Sequence, residues 1–99
     1  MKINIVEFDK AINTIKENIA KFAIELGKID QNENKKIIDA SSYFYENLLK
    51  IVLPLRDDLK NKISLSIDSK DYDDIESLIV CLKKIDSLLE SVESYNVKK

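Results

Sequence analysis

A chain of 99 residues with 44% hydrophobic and 34% charged side chains, one Gly and one Pro can bury a single small core, and has too little backbone punctuation for a protein of strands and tight turns. It has no His and one Cys, which removes the commonest general base and metal ligand and excludes an intrachain disulfide. The formal charge is −2, from 16 basic and 18 acidic residues, and Arg56 is the single Arg, so the chain lacks the cationic excess that nucleic-acid binding generally needs.

No apolar run approaches the ~20 residues of a membrane span, and Met1 to Glu7 reaches a charge too early for a signal peptide. The expectation is a cytoplasmic protein with no membrane contact. Its richness in Ile, Lys and Asn is associated with AT-rich bacterial or mobile-element genomes.

Ile5, Phe8, Ile12, Ile15, Ile19, Phe22, Leu26 and Ile29 recur at alternating spacings of 3 and 4. This narrow apolar stripe predicts a helix from about Asn4 to Leu26 or Lys28, packed against other helices. Gly27 is placed to end it in a left-handed cap. Asp30, Gln31, Asn32 and Glu33 have the form of a capping box and predict that the second helix begins there.

From Ile37 the stripe passes through Ile38, Ser41, Phe44, Tyr45, Leu48, Ile51, Val52, Leu55, Leu59 and Ile63, keeping helical period on both sides of Pro54. Proline inside a helix costs about 3 kcal/mol, and a straight helix of this length would overhang the first, so a break or sharp kink is expected near Pro54. Asp68, Ser69 and Asp71 read as a stop and cap. A last helix follows, about Tyr72 to Tyr95, with a seam of Ile75, Leu78, Leu82, Ile85, Leu89 and Val92 widened by Ile79, Cys81 and Leu88, and Asn96 to Lys99 as a frayed tail. Short turns force neighbouring helices antiparallel. The predicted fold is all-α, an antiparallel bundle of three to four helices forming one domain over residues 1–99.

Candidates for chemistry are sparse. Asp57-Asp58 and Asp73-Asp74 are adjacent, so about 100° of helix separates the side chains and neither pair makes a facing acid/base couple. Cys81 shares a face with Leu78, Ile85 and Leu88 and reads as a small buried hydrophobe, because a nucleophilic thiolate needs a cationic, open setting. Asp68, Asp71, Asp73, Asp74 and Glu76 lack EF-hand order, with Ile79 where the closing glutamate would stand. No enzymatic activity, cofactor or metal is expected.

Residues 68–76 carry five acids and one Lys, a net −4 against −2 for the whole chain. Helix capping with dipole compensation accounts for such a cluster, and so does docking of a cationic protein. Tyr43-Phe44-Tyr45 fan over about 200° of helix, more than one narrow stripe can bury. Phe44 and Tyr45 belong to the stripe. Tyr43 has Asp39, Ala40, Glu46 and Asn47 as neighbours and faces outward as an anchor for a protein partner, unless another helix covers it.

The expected function is therefore binding of another protein. The most specific form is an inhibitor or neutraliser of a protein with a basic surface, in the manner of a toxin immunity protein, antitoxin or anti-defence factor. It would act by steric occlusion through Asp68, Asp71, Asp73, Asp74, Glu76, Tyr43, Asp39 and Asn47. The alternative is a secretion-associated helical hairpin or chaperone, although a chain without Trp lacks the Trp-x-Gly signature of one such group. A nucleic-acid-binding regulator, relying on Lys35-Lys36, Lys83-Lys84 and Lys98-Lys99, ranks third. The sustained seam admits a homodimer as well as a monomer.

Overall fold

The computed structural model describes residues 5–97. Their regular structure is all helical, in the order α1 (Ile5–Gly27), α2 (Asn34–Asp68) and α3 (Ile75–Ser91), joined by short turns, with a short 3-10 turn at Glu93–Tyr95 and no strand among the described residues. The predicted starting point at Asn4 and the end of the tail, Lys98 and Lys99, lie outside the described residues.

α2 is the spine. At 1.5 Å per residue its 35 residues reach about 52 Å, close to the 56 Å longest dimension of a molecule only 24 by 15 Å across. α1 lies antiparallel to it: Phe8 shares a hollow with Leu55 and Leu59, and Phe22 stacks on Phe44. α3 runs back along α2 from the second turn, so that Arg56 bonds to Asp86 and Tyr45 to Glu93. α1 and α3 are consequently parallel, linked by Lys84 to Asp9 near one end and by the Phe22 and Tyr95 rings near the other.

The three predicted seams converge on one core: Phe8, Ile12 and Ile15 from α1, Leu48, Val52 and Leu59 from α2, and Leu78, Cys81, Ile85 and Leu88 from α3, with Val92 just beyond it. Three predicted seam residues fail to enter. Ile5, Ile51 and Ile79 are exposed; Ile51 lies about 100° round α2 from Val52, at the margin of what two neighbouring helices can cover, and Ile79 lies on the side of α3 away from Leu78 and Ile85.

The break expected at Pro54 is absent, and α2 continues through an exposed proline. Keeping the helix intact lets Leu48, Val52, Leu55 and Leu59 stay on one face, and burying them outweighs the ~3 kcal/mol cost of the proline. The feared overhang is shared between the neighbours. α1 begins near the level of Leu59, and α3 begins at the far end of α2.

The turns also differ from expectation. Gly27 does not adopt a left-handed conformation; α1 ends by tightening, with the Lys28 and Ile29 amides donating to the Glu25 and Leu26 carbonyls. The 30–33 box does not start α2. Asp30 instead accepts the Asn32 amide on its carboxylate at 2.9 Å, a local turn, and the helix starts at Asn34. α3 likewise begins at Ile75, three residues later than predicted, after a turn at 72–74, and hands over to the 3-10 turn at its other end.

Candidate protein-docking surface

The acidic segment is built on the end of α2. Lys70 is the one non-glycine residue with positive φ among the described residues, at 60°. Around it the Lys70 amide donates to the Ile67 carbonyl at 3.1 Å and the Asp71 amide to the Ser66 carbonyl at 2.8 Å, the paired bonds of a Schellman cap. The Ser69 hydroxyl adds a bond to the Leu65 carbonyl at 2.8 Å. With these carbonyls satisfied the chain reverses into α3, and the acids are distributed around a fixed turn.

They are not equivalent. Asp68, Asp73 and Glu76 are exposed, whereas Asp71 and Asp74 are half-buried and engaged within the chain. Asp74 occupies the N-cap position of α3, although its side chain does not cap the helix. Three of the five predicted acids therefore face outward, beside the exposed apolar side chains Leu65, Ile67 and Tyr72. Sequence reasoning had not singled out Tyr72, whose signal was an aromatic in the middle of a charged turn.

Tyr43 is 71% exposed, the outward placement that its neighbours imply, and Asp39 beside it is exposed too. Asn47 is half-buried, and its amide nitrogen donates to the Tyr43 carbonyl at 2.8 Å, so that it fastens the backbone under the ring. This group and the acidic turn sit toward opposite ends of α2. Tyr43 and Asp68 are separated by about 37 Å of helix at 1.5 Å per residue, and they do not form one patch.

Cys81 is buried in the core, and burial pushes its thiol above the ordinary range, opposed only in part by Lys84. At neutral pH it is a packed thiol. Asp58 is held by Lys62 one helical turn away at 2.7 Å. Among the described residues no group of three His, Cys, Asp or Glu is placed to hold a metal ion, and no helix is long and apolar enough to cross a membrane.

Three polar contacts act as struts between elements. The Arg56 guanidinium donates to Asp86 at 2.8 Å, joining α2 to α3, and the Lys84 ammonium donates to Asp9 at 2.9 Å, joining α3 to α1. Tyr45 donates its hydroxyl to Glu93 at 3.2 Å and so fixes the 3-10 turn against α2. No protein-family model, curated protein or solved structure matches the chain.

Proposed function

We propose that this is a non-enzymatic protein-binding module of the cytoplasm that inhibits or neutralises a protein with a basic surface, as a toxin immunity protein, antitoxin or anti-defence factor does. The observation that supports the reading is the composition of the α2–α3 turn. Asp68, Asp73 and Glu76 point to solvent there, next to exposed Leu65, Ile67 and Tyr72. Charge of one sign steers and orients a cationic partner, while the apolar side chains supply the contact that holds it. The occluded surface on the partner would be its active or nucleic-acid-binding face, and no bond is made or broken. Tyr43 lies ~37 Å of helix from the acidic turn, too far for one compact contact, and the pairing of outward charge with exposed apolar side chains favours the turn as its centre.

The test is capture from the source cell on the immobilised chain, followed by assay of the captured protein. The reading requires one predominant cationic partner, released by raised salt, whose activity falls on addition of the chain. Capture of nucleic acid instead, or of a partner whose retention ignores salt, would remove it. A salt-indifferent apolar partner would favour the secretion-chaperone alternative.

A further inference from the structure

α3 has a second face. Leu78, Cys81, Ile85 and Leu88 enter the core, and on the opposite side of the helix Tyr72, Ile75, Glu76, Ile79, Val80 and Lys83 line a groove of about 440 Å³. Tyr72 is 62% exposed, Ile79 39% and Val80 47%. Among the described residues α2 stays on the core side of α3, and α1 reaches the margin of this face only through Ile5, which lines a smaller hollow with Glu76 and Val80 and leaves Ile79 and Val80 exposed. Neither Glu76 nor Lys83 forms an ion pair among the described residues, and each stands one helical turn from the exposed Ile79 and Val80, on opposite sides of them.

The arrangement is symmetric about its own middle. A two-fold axis passing between Ile79 and Val80 lays α3 of a second copy antiparallel across the first and matches residues equally distant from that point. Ile79 then meets Val80 of the second copy, and Glu76 meets its Lys83, twice over. Glu76 and Lys83 lie two turns apart, about 10.5 Å along the axis, so both ion pairs form at once in a close antiparallel crossing. A second copy pairs both charges at once, and because Glu76 and Tyr72 also belong to the turn proposed to dock a cationic partner, dimer and complex compete for them.

From this geometry we infer that the outer face of α3 is a homodimer interface, an isologous antiparallel helix pair centred on Ile79 and Val80 and set in register by Glu76 and Lys83. The contact is small, so the dimer is in reversible equilibrium with the monomer at micromolar to millimolar protein.

Sedimentation velocity of the full chain at low salt tests this with the wild type, Glu76→Lys, Lys83→Glu and the double reversal. The expected result is a concentration-dependent rise in mass from 11.4 kDa toward twice that value. Each single reversal turns two attractive pairs into two repulsive ones and weakens the dimer roughly tenfold, and the double reversal restores it. Val80→Asp should leave the helical circular dichroism unchanged and abolish the dimer. A wild type that stays monomeric over the whole range overturns the inference. So does a dimer that is indifferent to the single reversals, or one that the double reversal does not restore.

Discussion

Phe22 of α1 and Phe44 of α2 stack face to face, ring centroids 4.0 Å apart and planes 1° from parallel, while Tyr95 meets both edge-on at 5.1 and 5.8 Å. This group closes the end of the bundle away from the acidic turn and ties the 3-10 turn to two helices at once. Aromatic contacts of this kind are worth about 0.5–1.5 kcal/mol beyond area burial. Phe22→Leu keeps most of the apolar bulk and loses both ring contacts, so urea unfolding should show a loss of about 1–2 kcal/mol. Tyr43→Leu, one residue from Phe44 but pointing to solvent, should stay within about 0.5 kcal/mol of wild type.

Lys70 and Gly27 occupy each other's natural conformations. A lysine holds the left-handed position of the Schellman cap, and the glycine sits in α1 without positive φ and with no atom within 4 Å of where a Cβ would stand. Lys70→Gly removes left-handed strain and should stabilise by about 0.5–1 kcal/mol after the entropy of glycine is counted. Gly27→Ala should add about 0.5–1 kcal/mol by itself. The two sites are far apart in the fold, and their effects on the denaturation midpoint should add.

Pro54 is the other internal cost. It leaves one carbonyl of α2 without its usual amide and crowds the preceding turn, yet the helix runs on through it. Pro54 is exposed and outside the buried core, and Pro54→Ala should raise stability by about 1–3 kcal/mol in urea unfolding. No gain would mean that α2 is strained elsewhere.

The seams of all three helices were legible because burial in a bundle follows the helical period: Phe8, Ile12, Val52, Leu78 and Ile85 are both periodic and buried. Tyr43 was legible for the same reason in reverse, since three consecutive aromatics cannot share one stripe. The continuity of α2 was not, because propensity argues against a proline locally while the packing that overrides it comes from two other helices. The Schellman cap was hidden by its lysine, as no composition rule marks a lysine for a left-handed turn. Ile79 carried an apolar letter at the margin of a stripe. Periodicity alone does not distinguish the edge of one face from the start of a second, and only the placement of α1 and α2 turns Ile79 and Val80 outward. In the acidic cluster the sequence gives charge without orientation, so it could not separate Asp68, Asp73 and Glu76 from the engaged Asp71 and Asp74.

Tyr45 gives the account a pH dependence. Burial, then the hydrogen bond and the negative charge of Glu93, push its phenol above the ordinary value. A raised pKa in the folded state means that the fold holds this proton more tightly than the unfolded chain does. The stabilisation is full below the unfolded value of about 10 and is lost as pH rises through the higher folded value. Wild type should therefore lose stability more steeply above about pH 10 than Tyr45→Phe, and the two should run parallel between pH 7 and about 9. Because Glu93 is exposed and Tyr45 only half-buried, the difference at neutral pH should be well under about 1 kcal/mol.

Calorimetric titration of two variants with a basic protein captured on the immobilised chain puts the proposed docking surface to the most direct test. Asp68→Asn combined with Asp73→Asn removes outward charge, leaves the engaged acids and Glu76 in place, and should weaken binding about threefold to tenfold at low salt, with the gap closing at high salt. Tyr43→Ala, about 37 Å of helix from Asp68, should leave the affinity unchanged. Undiminished binding by the doubly neutralised chain, or loss of binding confined to Tyr43→Ala, would contradict the assignment of the α2–α3 turn as the contact surface.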